Sequence, residues 1–83
     1  MSSKPIDELA LAADFNGVYQ AYRRPIYNYL MNLVRNQVEA EDLVQEAFLR
    51  VQRGLPGFRG DASLKTWLYR IAYNQAISLL RRR

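Results

Sequence analysis

The sequence predicts an all-α fold, a compact bundle of three to four helices with a Gly- and Pro-rich loop ahead of the last one. Three observations carry that expectation. Apolar residues recur at i, i+3, i+4 and i+7 through three long segments, the period of a helix face turned to a core. Those segments are separated by one short polar gap and by Gly54 to Ser63, a stretch holding three glycines and a proline. Eighty-three residues, 49% of them hydrophobic, suffice for one small domain over 1–83 and leave no room for a second.

In chain order, Met1 to Pro5 is polar and expected to be loose, and Ile6 to Ala13 forms a short amphipathic pattern through Ile6, Leu9, Ala10 and Ala13. Asp14 is placed to cap a long helix in which Phe15, Val18, Tyr19, Tyr22, Ile26, Tyr29, Leu30, Leu33 and Val34 recur at helical spacing. Gly17 and Pro25 oppose it. Pro25 removes one hydrogen bond to Ala21, yet the pattern resumes in phase beyond it, which predicts a kink and not a break. Arg35-Asn36-Gln37 is the polar gap, short enough to make the flanking helices antiparallel neighbours.

The segment from Ala40 to Arg53 reads as a helix with two faces. Ala40, Leu43, Val44, Ala47, Phe48 and Val51 fall on one side as a core stripe. Asp42, Gln45, Glu46 and Leu49 gather on the other, where a leucine stands within a surface of carboxylates and an amide. Two readings fit: a surface helix with charges suited to its dipole, including a Glu46 and Arg50 pair at i,i+4, or a partner-binding face.

In the loop that follows, Phe58 and Arg59 sit between glycines, so Phe58 either plugs the loop to the core or meets a ligand. Asp61 or Ser63 caps the last helix from about Leu64. Its predicted core stripe is Leu64, Leu68, Ile71, Ala72 and Leu79, with Trp67 at the margin. Its other side shows Thr66, Arg70, Tyr73, Asn74, Ile77 and Arg81, flanked by Lys65 and Tyr69. Cations, aromatic rings and one amide without a carboxylate suit nucleic acid: cations meet phosphates, rings stack on unpaired bases, and an asparagine bonds a base edge. A basic amphipathic helix with its rings packed inward has the same pattern.

Charge and composition narrow the function classes. Twelve basic and eight acidic residues leave a net charge of +4, and no carboxylate follows Asp61 while Lys65, Arg70, Arg81, Arg82 and Arg83 do. That asymmetry favours a polyanion near the C-terminal part. Without cysteine or histidine, disulfides and the usual zinc or haem ligand sets are excluded, no metal or cofactor is expected, and nothing points to an enzyme. No apolar run reaches the ~20 residues of a membrane span, and the N-terminus lacks the order of a signal peptide, so the expected place is the cytoplasm.

Two segments, Ala40-Glu41-Asp42-Leu43-Val44-Gln45-Glu46-Ala47-Phe48 and Phe58-Arg59-Gly60-Asp61-Ala62-Ser63-Leu64-Lys65-Thr66-Trp67-Leu68-Tyr69-Arg70-Ile71-Ala72-Tyr73-Asn74, resemble the second domain of bacterial sigma factors of the extracytoplasmic-function type. A Tyr22-Arg23-Arg24 helix precedes them in the matching order, and the resemblance covers Phe15 to Arg83. It implies a helical unit that docks on core RNA polymerase and recognises and melts the −10 promoter element. By resemblance, Asp42, Gln45, Glu46 and Leu49 grip the clamp helices of the polymerase β′ subunit. The loop, here Phe58, Arg59, Gly60, Asp61, Ala62 and Ser63, would hold a base flipped from the melted non-template strand. Extraction costs a few kcal/mol, recovered by stacking and edge bonds. Asn74 would contact bases at the upstream edge, Lys65, Arg70 and Arg81 would hold phosphates, and Trp67 and Tyr73 would stack or wedge. The resemblance also implies an anti-sigma factor as inhibitory partner. Gly17 stands where the family usually carries a helix former. A whole sigma factor continues to a helix-turn-helix domain reading the −35 element, which is absent from this chain, so a domain fragment is expected.

Two other classes compete with that expectation. A helix-turn-helix duplex binder would join its last two helices through three or four residues and not a long Gly- and Pro-rich loop, and relative affinity for single and double strands separates it. A basic helical adaptor or membrane-surface module would bind anionic vesicles without base preference.

Overall fold

The computed structural model describes residues 14–83; the short helical pattern expected over Ile6 to Ala13 lies outside them. Helix α1 spans Phe15–Val34, α2 spans Gln37–Gly54, a 3-10 turn covers Leu55–Gly57, and α3 spans Leu64–Arg82. No strand occurs among the described residues. All three helices pack on one another around a single cluster that includes Val18, Ile26 and Leu30 of α1, Leu43, Phe48 and Val51 of α2, and Leu64 and Leu68 of α3. Burying such side chains at about 25 cal/mol per Å² is what opposes the entropy of ordering so short a chain.

α1 runs unbroken through Pro25. Both Ala21 and Pro25 are exposed, so the carbonyl that Pro25 leaves without its donor lies on the solvent side of the helix. Gly17 likewise falls within α1, whose first turns are pinned by Tyr19 and Phe15 against Phe48 of α2 at ring-centroid distances of 5.1 and 6.4 Å. Asp14 occupies the N-cap position but its carboxylate makes no capping bond, so the register comes from packing and not from the cap.

The α1 to α2 corner is tighter than the sequence suggests, because Gln37 already belongs to α2. Arg35 closes α1 in the left-handed region, φ 56°, with its N–H donated to the Met31 carbonyl. Asn36 then caps α2: its side-chain oxygen accepts from the Glu39 N–H at 2.9 Å. The end of α3 lies at this corner, where the Arg83 guanidinium donates to the Val34 carbonyl at 3.0 Å and pairs with the Glu39 carboxylate.

The predicted stripe of α3 needs correction. Its buried residues are Leu64, Leu68, Ala72 and Ala76, a strict four-residue ridge, while Ile71 and Leu79 are half-buried on its flanks. Ala76 is small enough to fit closest to the neighbouring helices, and side-chain size alone hides that role in the sequence.

Candidate functional site

The two surfaces singled out in the sequence lie on different helices. On α2, Ala40, Leu43, Val44, Ala47, Phe48 and Val51 are all buried, and Asp42, Gln45, Glu46 and Leu49 all face solvent. Leu49 is 48% exposed, one of three large apolar side chains so exposed among the described residues. A second is Val38 at 67%. At about 100° per residue, Val38 shares the line of Asp42, Gln45 and Leu49 and begins their crest one turn earlier. The sequence reading missed it because the polar gap seemed to reach Gln37 and the core stripe to start at Ala40; the Asn36 cap was the signal that α2 starts sooner. The expected Glu46 and Arg50 ion pair is not formed, since the ion pair among the described residues is that of Arg83 with Glu39. The crest carboxylates Asp42 and Glu46 therefore form no ion pair among the described residues.

The loop and α3 make a different kind of surface. Leu55 is buried and anchors the 3-10 turn, and the Phe58 N–H closes it on the Leu55 carbonyl at 3.0 Å. Phe58 is half-buried and leans on Trp67, ring centroids 5.3 Å apart. Trp67 is itself half-buried, with its ring so close over the Gly54 backbone that a Cβ there would meet the indole at 3.0 Å. Gly54 is what lets the indole lie down. Gly60 takes a left-handed φ of 81° and turns the chain, leaving Arg59, Gly60 and Asp61 exposed at the tip and Ala62 half-buried behind them. Of the two candidate caps it is Ser63 that acts, its hydroxyl oxygen accepting from the Thr66 N–H at 3.0 Å.

Along α3, Lys65, Arg70, Tyr73, Asn74 and Arg81 are exposed, Tyr73 by 46%. Tyr29 of α1 joins them: with Lys65, Thr66, Tyr69, Arg70 and Tyr73 it lines a broad open groove of about 590 Å³. Tyr29 and Tyr69 meet edge to face at 4.9 Å, and the Lys65 ammonium sits 5.9 Å over the Tyr69 ring. Burial, then the neighbouring Tyr73 and Tyr69 hydroxyls, push the Tyr29 phenol above its ordinary value. The sequence marks Tyr29 only as part of the apolar stripe of α1, since its position there gives no hint that α3 brings cations beside it. No carboxylate lines this groove, and no helix of the described residues is long and apolar enough to cross a membrane.

A three-helix unit with an acidic crest on one helix and a basic, aromatic edge after a Gly-rich loop on another agrees with the helical unit that the sequence resemblance implied. The family described as Sigma-70 region 2 matches residues 18–83, and the chain belongs to that family. Within it, the similarity runs to factors of the extracytoplasmic-function type. The chain is 39% identical over 77 residues to the ECF RNA polymerase sigma factor SigG of Mycobacterium tuberculosis, covering 93% of this chain and 20% of that protein. To the RNA polymerase sigma factor YlaC of Bacillus subtilis it is 40% identical over 65 residues, 78% of this chain and 38% of the relative. To the ECF RNA polymerase sigma-E factor of Escherichia coli K12 it is 36% identical over 86 aligned positions, 96% of this chain and 45% of the relative. The chain thus spans a fifth to just under half of the length of these relatives. No solved structure matches it.

Proposed function

We propose that this domain binds core RNA polymerase through the α2 crest and recognises and holds the melted non-template strand of the −10 promoter element through the loop and α3. The observation that carries this reading is the separation of two exposed surfaces of opposite chemistry on one small bundle. Asp42, Gln45, Glu46 and Leu49 face away from the core on α2, and Lys65, Arg70, Tyr73, Asn74 and Arg81 do so on α3. An acidic crest with an apolar residue suits a basic helical partner, the β′ clamp helices, and a cationic edge with rings suits unpaired DNA. The domain contributes no catalysis; it positions the polymerase and stabilises the open strand, and its place of action is the bacterial cytoplasm, where the polymerase works.

Recognition divides between two elements. Arg59 and Asp61 at the exposed tip supply donor and acceptor groups to a flipped base, with Gly60, Ala62 and Ser63 bringing the backbone near and Phe58 and Trp67 offering a ring edge for stacking. Asn74 lies about 15 Å along α3 from its start, at 1.5 Å per residue, and reads a neighbouring base upstream. Lys65, Arg70 and Arg81 hold phosphates. An anti-sigma factor is the inhibitory partner this reading implies, with Leu49 and the aromatic edge of α3 as its apolar anchorage.

Titration of single-base variants of a −10 strand, alongside binding to a β′ clamp-helix fragment, tests both halves. Asn74→Ala is expected to relax preference at one upstream position by about 1–3 kcal/mol. Arg70→Ala should lower affinity for every sequence and flatten the salt dependence. Equal losses across all base variants for Asn74→Ala and for loop substitutions would mean that the domain holds only the backbone. Undiminished clamp-helix binding by both Glu46→Lys and Gln45→Ala would remove the crest from the reading.

A further inference from the structure

The line of the α2 crest runs on past Leu49 to the end of the helix. At about 100° per residue, Asp42, Glu46, Leu49 and Arg53 fall within about 60° of arc, with Arg50 on the flank beside Glu46 and with Gln45 and Gln52 on the opposite flank. All of these side chains are exposed. Charge is ordered along the line: carboxylates occupy the N-terminal half, Leu49 stands next, and Arg50 and Arg53 close the C-terminal half. Neither carboxylate and neither guanidinium forms an ion pair among the described residues, although Glu46 and Arg50 are one turn apart.

We infer that this face is complementary to a second copy of itself, so that two copies of the domain associate through antiparallel α2 helices about a two-fold axis level with Phe48. That level is midway between Glu46 and Arg50, and within about half a residue of the midpoints of Asp42 with Arg53 and of Gln45 with Gln52. Glu46 then faces Arg50 of the other copy, Asp42 faces Arg53, and each pair forms twice by symmetry. The Gln45 and Gln52 amides, which both donate and accept, meet on the opposite flank, and Leu49 lies one residue from the axis beside its own copy. A parallel pairing sets Asp42 on Asp42 and Arg53 on Arg53, so the charges reject it. Docking of the crest on the α3 edge of another copy is head-to-tail and does not close, and it brings Arg50 and Arg53 against the cations of α3. Size fixes the strength. α2 has 18 residues, about 27 Å at 1.5 Å per residue, and a helix is about 10 Å across, so each copy covers on the order of 300 Å², well short of the ~800 Å² per partner of a stable complex. Exposed ion pairs add little each and weaken with salt. The association is therefore weak, with a Kd of about 100 µM. It conceals Asp42, Gln45, Glu46 and Leu49, so that self-association and polymerase binding exclude each other; this competition, unlike the pairing, rests on the docking reading proposed above.

Sedimentation of the 83-residue chain from about 10 µM to about 1 mM tests the pairing, with thermal unfolding measured in parallel. The mass is expected to rise from monomer towards dimer at low salt and to fall back at about 0.5 M salt. Glu46→Lys and Arg50→Glu should each weaken association about tenfold, and both changes in one chain should restore it to within about threefold of the parent, with the unfolding temperature unchanged. Because the chain has no cysteine, Leu49→Cys should cross-link to a dimer on mild oxidation. Val38→Cys, at a more exposed position but about 30 Å from its own copy across the axis, should not. A chain that stays monomeric throughout, growth past the dimer, single reversals without effect, or a cross-link at Val38→Cys as fast as at Leu49→Cys would each overturn the inference. Adding the β′ clamp-helix fragment separates the two readings. Dispersal of the dimer is expected, and a dimer that forms and responds as described yet persists beside the fragment would keep the pairing and sink the docking reading.

Discussion

The α2 crest and the α3 edge do opposite things with exposure. On α2 the solvent-facing groups and the core groups are different residues on opposite sides of one helix, so the crest of Asp42, Gln45, Glu46 and Leu49 contributes little to holding the bundle together. On the loop and α3 the two roles overlap. Phe58 and Trp67 brace each other and Gly54, and Tyr29 braces Tyr69, while the outer edges of the same rings are what a base would meet. The contrast teaches that the α2 crest can be altered freely without loss of fold, whereas the edge proposed here to read single-stranded DNA is built from side chains already fixed by the core. Fixed rings lose less entropy when they stack.

The largest effect that could break this contrast is at Trp67. Replacing it by alanine empties the space over Gly54 and leaves Phe58 without its partner ring, and is expected to cost about 2 kcal/mol of stability, below the 3–5 typical of a fully buried aromatic. That corresponds to a fall of about 8–16 °C in Tm for a domain of this size, with −10 strand binding weakened as well. Urea and thermal unfolding of the variant check it; a loss of binding with unchanged stability would show that Trp67 is not shared between the two roles.

Glu46→Lys is the matching change on the crest. It should weaken polymerase binding at least tenfold, about 1.4 kcal/mol, while stability stays within about 0.5 kcal/mol of the parent. A large fall in Tm would show that the crest, too, holds the fold. The caps give a smaller effect that sharpens the comparison. Ser63→Ala removes the hydroxyl that accepts from Thr66 and should cost about 1 kcal/mol, and because Ser63 ends the loop proposed to hold a flipped base it should also blur preference there. Asn36→Ala removes the equivalent cap of α2 at a similar cost, with no effect on DNA.

The smallest effect concerns pH. The Tyr29 phenol is raised above its ordinary value of 10.0, first by burial and then by Tyr73 and Tyr69. A group whose folded value is raised stabilises the fold fully below its unfolded value and loses that contribution as pH rises through the folded one. Stability should therefore decline somewhat as pH climbs above about 10, and less so in Tyr29→Phe. Unfolding midpoints of the two chains between neutral and strongly alkaline pH compare them directly.

The helices and the crest were legible in the sequence because each rests on periodicity within one segment: Leu43, Val44, Ala47 and Phe48 declare the core side of α2, and the charged side follows by default. What stayed hidden depends on distance along the chain. Nothing in the sequence shows that Tyr29 meets Tyr69, that Trp67 lies on Gly54, or that Arg23 and Arg24 face the side of α2 carrying Gln45. Pro25 and Gly17 weighed against α1 and lost, since packing of Phe15, Tyr19 and Ile26 outweighs local propensity. Ala76 and Ile71 depart from the sequence expectation for one reason: apolar size does not measure depth, and the tightest part of a helix contact favours the smallest side chain.

The return of Arg83 to the α1–α2 corner bears on the order in which the domain folds. Only Arg35 and Asn36 separate α1 from α2, so that hairpin can close early through local contacts, whereas the bonds of Arg83 to Val34 and Glu39 join residues 49 and 44 positions apart and require α3 to be docked along its whole length. Contacts of that separation form late and are absent from the transition state of a bundle that nucleates locally. Glu39→Gln should therefore leave the refolding rate near that of the parent and speed unfolding, making Arg83 a clasp that sets how long the native bundle lasts more than how fast it is reached.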